Sequence, residues 1–224
     1  MKIRNILTRF LNLKVQKNQG WLLMSSSVSG LIYTYTHPVI VKATISNLPE
    51  RYISLEALWF CLSGLILGAI WKGCVREKAI RYFTYIATIE SLAAFSLGCY
   101  MAFVNWNVWV FAISSALYLS IVSRFIGKCV MAFKASLWID KEREDFDNTS
   151  SIISNTIAMI GFMIATIAMP KLEVAVFLWG CGCIFDDIGW IIVYNKCRRK
   201  IKEIGVKDNN HHHHHHQQDE GMDK

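Results

Sequence analysis

Charged residues in this chain are bunched, and the runs between the bunches are long and apolar. A soluble domain spreads its charges at turn intervals. Here six apolar stretches, each close to the roughly 20 residues needed to cross a bilayer as a helix, dominate the sequence. In lipid, only a helix or a closed barrel satisfies every backbone polar group, so runs of this length constrain the chain to helices. They extend from about Trp21 to Ser46, Ser54 to Trp71, Ile80 to Val104, Asn107 to Val130, Thr149 to Met169 and Val174 to Tyr194. The expected fold class is an all-α membrane protein with six transmembrane helices.

Lys and Arg give the expected orientation, because cytoplasmic loops retain them. Lys2, Arg4, Arg9, Lys14 and Lys17 precede the first stretch, and Lys72, Arg76, Lys78 and Arg81 separate the second from the third. Lys134, Lys141 and Arg143 follow the fourth, and Lys196, Arg198, Arg199, Lys200 and Lys202 follow the sixth. The opposite side carries only Arg51 and Lys171, with Lys42 at the end of the first stretch. The alternation places both termini in the cytosol of an inner- or plasma-membrane protein. It also accounts for the net charge of +7 through topology and lipid head groups, without nucleic acid as a partner. Residues 1–20 read as a basic amphipathic segment on the membrane surface, 21–200 as the transmembrane domain, and 201–224 as a flexible tail. The run His211–His216 in that tail reads as a purification tag.

The short connections "NWN" (Asn105 to Asn107) and "PKLE" (Pro170 to Glu173) force antiparallel neighbours. The segment "DKERED", beginning at Asp140, is expected to be solvated and partly helical. Gly64 and Gly68 form a G-x-x-x-G pattern, which permits close helix approach either within one bundle or between two copies.

Intramembrane polar residues are the candidate site. At about 1.5 Å per residue, Glu90 lies about 15 Å from the cytosolic end of its helix, and Asp186 and Asp187 about 18 Å from the outer end of theirs. A charge at this depth costs about 2.5–3.5 kcal/mol on insertion scales, so such carboxylates face a partner or a hydrated cavity. Adjacent helical positions point about 100° apart, so Asp186 and Asp187 cannot share one partner equally. One is expected to face a cavity and the other a neighbouring helix, with Arg124 or His37 as possible partners. Arg124 has a second option, which is to extend toward the head groups. Tyr33 and His37 belong to a stripe with Ser26 and Gly30 on the first helix, and Pro38 is expected to bend that helix just beyond. The small residues of this stripe have a bland alternative reading as packing surfaces.

The stretch "RFIGKCVMAFKASLWIDKEREDFDNTSSIISNTIAMIGFMIA", Arg124 to Ala165, is similar to the fourth helix, cytoplasmic linker and start of the fifth helix in the major facilitator superfamily. "GLILGAIWKGCVREKAIRYF", Gly64 to Phe83, resembles the end of that family's second helix and the basic loop behind it. Gly68 fits the loop motif. Lys72 stands where the family usually has an acidic residue and Val75 where it usually has glycine, and Gly127 comes one position early after Arg124. The resemblance implies the N-terminal half of a transporter, with substrate held near the bilayer midplane between two such halves. A single half lacks the second wall of that cavity, which implies a homodimer or pairing with a second half-transporter.

The expected function is transport of a small molecule or peptide, with proton coupling through Glu90 and the Asp186/Asp187 pair. The competing class is a non-transporting accessory or immunity protein that binds a peptide or another membrane protein. No enzyme is expected, because the chain has no His-Glu pair at metal-ligand spacing, no glycine-rich phosphate loop and no nucleophile motif. No cofactor is expected either. "CGC" at Cys181–Cys183 has no second cysteine pair and reads as small buried residues rather than a metal site.

Overall fold

The computed structural model describes residues 2–5, 19–73 and 76–222. Among them the chain is helical, with no strand. Helix α1 spans Gln19–Ile45, α2 Glu50–Gly73 and α3 Arg76–Phe103. Helix α4, Val108–Leu117, continues without a break through a π-helical turn, Tyr118–Val122, into α5, Ser123–Leu137. Helix α6 spans Asp140–Ile167 and α7 Leu172–Met222.

Among the described residues four segments are long and apolar enough to cross a membrane, namely Glu50–Lys72, Tyr82–Phe103, Asp140–Ile167 and Leu172–Arg198. This supports a helical membrane protein. Helix α1 is outside that set, since Ser25–Ser27, Ser29, Thr34, Thr36 and His37 dilute its apolar content. The α4–π–α5 rod contributes a short apolar helix, Val108–Leu117.

Local chemistry explains the boundaries. Asn107 caps α4 by accepting from the backbone N–H of Trp109 (3.0 Å) and Val110 (3.3 Å), which fixes the tight "NWN" turn. Pro49 sits immediately before α2, and Pro170 lies between α6 and α7, where a missing N–H breaks no helical ladder. Helix α6 begins at Asp140, nine residues before the expected Thr149, because "DKERED" is helical throughout. Asp140 and Glu142 in its first turn complement the positive end of the helix dipole. Lys134 pairs with Asp147 at 2.9 Å, tying α5 to α6. Pro38 lies inside α1, which runs on to Ile45 rather than ending there. At the other end of the chain, α7 continues to Met222, past residue 201, where a flexible tail was expected. Most of the expected N-terminal surface segment, residues 6–18, lies outside the described residues.

The bundle is layered along its axis. Toward the start of α1 and the Val193–Tyr194 turn of α7, an apolar cluster joins Leu22, Phe83, Ile126, Phe133, Phe146 and Val193. Toward the end of α1 and the start of α7, a smaller cluster joins Ile40, Met101, Phe111, Ala175 and Val176. Polar residues of α1, α3 and α7 lie between the two.

Helix α7 is the hub and packs most extensively on α1 and α3. Close approach to α3 depends on Gly98 and Gly180: a Cβ on Gly98 would come within 2.9 Å of the Val176 carbonyl oxygen and 3.1 Å of Gly180 Cα. Small residues at such seams let backbones pack directly, which matters where lipid removes most of the hydrophobic drive between helices. The expected Gly64/Gly68 pattern has a different use. The space beside Gly64 is filled by the Arg124 guanidinium, while nothing among the described residues lies within 4 Å of a Cβ on Gly68.

Candidate functional site

Three carboxylates meet in the polar layer. Glu90 sits halfway along α3, and Asp186 and Asp187 are near the middle of the apolar part of α7. Glu90 is 5% and Asp187 3% exposed. All three lie close enough to feel one another's charge.

The two adjacent aspartates are used differently. Asp187 Oδ2 accepts a 3.0 Å hydrogen bond from the Ser91 hydroxyl, which staples α7 to α3. Asp186 is accessible and lines a cavity of about 510 Å³. The staple partner is thus Ser91, in place of the expected Arg124 or His37. A second staple ties α7 to α1. The Ser25 hydroxyl donates to the Phe185 carbonyl, and Ser25 Oγ accepts from the Gly189 N–H at 3.1 Å. The Tyr33 hydroxyl donates to Cys183 Sγ at 3.2 Å, so the buried Cys183 of "CGC" belongs to the same layer.

Glu90 is only partly satisfied. The Tyr118 side chain lies beside its carboxyl group, and Oε2 is buried with no hydrogen-bond partner among the described residues. Tyr118 is the first residue of the π turn. Such turns insert one extra residue into a helix and recur at functional sites.

Two cavities flank the layer. The 510 Å³ cavity runs along α1 past Tyr33, Thr36, His37 and Thr44 to Phe111, with Asp186 in its wall. The other, about 610 Å³, lies between α3 and the α4–π–α5 rod and contains Glu90, Ala93, Ser96, Ser114 and Val122. Tyr118 and Trp179 line both, so their rings form a shared partition. Each cavity carries one carboxylate. Both fall in the roughly 300–1,000 Å³ range of small-molecule sites.

The structure therefore brings Glu90, Asp186, Asp187 and Tyr33 together and puts His37 farther along the first cavity wall. His37 is exposed and meets the Phe162 ring edge-on, with centroids 6.5 Å apart. Arg124 is not in the cluster. Its guanidinium lies 3.7 Å above the Phe60 ring centroid on α2, and among the described residues it forms no ion pair with the three carboxylates. Sequence reasoning missed Ser91, Tyr118 and Trp179. A serine beside Glu90 at i+1 was a signal on the page, but the two aromatics were indistinguishable from ordinary lipid-facing rings. No group of three or more His, Cys, Asp or Glu side chains among the described residues is arranged to hold a metal ion.

The chain matches no protein-family model, no curated protein and no solved structure.

Proposed function

We propose that this chain is a transporter-like integral membrane protein of the half-size major facilitator type. In this reading six transmembrane helices, with both termini in the cytosol, form one half of an alternating-access unit in the cell membrane. The unit is completed by a second copy or another half-transporter. A proton is taken up and released at the Glu90, Asp186 and Asp187 cluster during each cycle.

One observation carries the reading. Three carboxylates from two helices sit in the middle of the bundle, next to two cavities whose shared wall is a pair of aromatic rings. Intramembrane carboxylates are costly unless they serve a pathway or a partner. The structural role of Asp187 as a staple accounts for one of the three, and leaves Asp186 and Glu90 facing cavities.

A second reading, a non-transporting accessory or immunity protein, is favoured by α2. Leu55, Leu58, Leu62 and Leu65 are exposed at three- and four-residue intervals, as on a helix face that meets another helix. The mass of the full chain in lipid nanodiscs separates the two. Two copies per particle are expected for transport, and a strict monomer that binds no other half-protein would overturn it in favour of the second reading.

A further inference from the structure

We infer that the cavity between α3 and the α4–π–α5 rod is a binding site for a lipophilic organic monocation, with Glu90 as its counter-ion. The starting point is Glu90, a residue 5% exposed that lines this cavity and whose Oε2 is buried with no hydrogen-bond partner among the described residues. A buried oxygen of this kind is rarely left without a partner in a native protein.

The walls define the chemistry of that partner. Ile86, Ile89, Ala93 and Leu97 supply carbon, and Tyr118 and Trp179 supply aromatic rings. Aromatic faces attract cations, most strongly where water is excluded. Among the described residues no lysine, arginine or histidine lines the cavity, and two further carboxyl groups, those of Asp186 and Asp187, lie nearby. Arg124, the basic residue expected to balance them, is turned toward Phe60 and Gly64 on α2. An inorganic cation prefers a shell of six or more oxygens. Beyond Glu90 the described residues of the lining offer only the Ser96, Ser114 and Tyr118 hydroxyls as side-chain oxygens. A cation that brings its own apolar shell fits better than a bare ion. Neither a lipid acyl chain nor an anion would balance a buried Glu90 carboxylate.

The proposal names a substrate class for the transport reading and rests on it only for the ligand's movement, since binding needs no transport. The full chain in nanodiscs would be titrated with tetraphenylphosphonium and with tetraphenylborate, which has the same shape and opposite charge. Saturable binding of the cation above the level of empty nanodiscs is expected, with no competition from the anion. Glu90→Gln should weaken it by about tenfold or more, a factor equivalent to about 1.4 kcal/mol. Ala93→Phe, which leaves Glu90 in place and fills the cavity, should weaken it as well and keeps the test valid if Glu90→Gln fails to fold. Equal binding of both probes, as expected for a lipid-filled groove, overturns the proposal, as does unchanged affinity in Ala93→Phe. Cation binding by a protein that is monomeric and moves nothing across proteoliposomes would sink the transport reading and leave this site standing. Transport of some other solute without cation binding would do the reverse.

Discussion

At one end of the bundle Phe133 packs between Phe83 and Tyr194, with ring centroids 5.1 and 5.3 Å away. At the other end Phe111 packs between Trp106 and Trp179 at 5.5 and 5.2 Å. The pairings are nearly the same, yet the surroundings differ. Phe133 is enclosed by a cluster drawn from α1, α3, α5, α6 and α7. Phe111 and Ile40 belong to the smaller cluster and also line the 510 Å³ cavity that reaches Asp186. One end is packed by the larger apolar cluster, and the other is hollowed beside its aromatic ring. Packing is therefore asymmetric along the axis, and that asymmetry comes from the side chains around each ring, drawn from five helices at the first end and four at the second, rather than from the rings themselves.

Truncation tests this most severely. Phe133→Ala should cost about 3–5 kcal/mol, the usual range for a buried aromatic, read as lowered thermal stability in mild detergent. Phe111→Ala should cost roughly half as much, because an existing cavity already borders the ring. Equal losses at the two ends would remove the comparison. The next effect concerns the seam between the layers. Gly98→Val should destabilise by about 1–3 kcal/mol through overpacking against the Val176 carbonyl, whereas Gly68→Val, with open space around it, should stay within about 0.5 kcal/mol. Similar outcomes for both glycines would mean that α3 and α7 do not approach closely. A smaller loss is expected for Ser91→Ala, about 1–2 kcal/mol, as Asp187 loses its hydrogen-bond donor. Combining Ser91→Ala with Asp187→Asn should cost less than the sum of the separate changes. Strict additivity would show that the staple contributes nothing as a pair.

Orientation sharpens the same comparison, since it decides which end faces the cytosol. In a background lacking native cysteines, Asn47→Cys is expected to react with an impermeant thiol reagent from outside and Asp145→Cys is not. The reverse pattern would turn the hollowed end toward the cytosol.

The helices were legible because charge bunching and apolar run length are local properties, and lipid leaves the backbone few alternatives. Each expected stretch coincides with a helical rod, and the capping role of Asn107 follows from its place in the turn. The mid-helix positions of Glu90, Asp186 and Asp187 were also legible, being simple arithmetic along a helix. Their partners were not. Ser91 reaches Asp187 only because α3 and α7 close on Gly98 and Gly180, a distance that no spacing within one helix encodes. Arg124 was expected near the carboxylates or the head groups, but it rests on Phe60 and fills the notch at Gly64. An arginine can satisfy its charge against an aromatic face, and sequence alone does not reveal which ring will be within reach.

The π turn at Tyr118–Val122 acts as a phase shift in the longest composite rod of the bundle. Upstream, α4 directs Phe111 and Ala112 inward. Downstream, α5 directs Ile126, Cys129 and Phe133 inward. An ordinary α-helix advances about 100° per residue, so losing one residue from the turn would rotate one half of the rod against the other by about that angle. No rotation of the whole rod could then restore both faces at once. If Phe111 kept its place, Arg124 would leave its seat on α2 and Phe133 would leave the larger cluster. If α5 held its ground, Ser114 and Phe111 would swing away from the two cavities. A single-codon deletion here would thus be read at both ends of the molecule, as far away as Phe111 and Phe133.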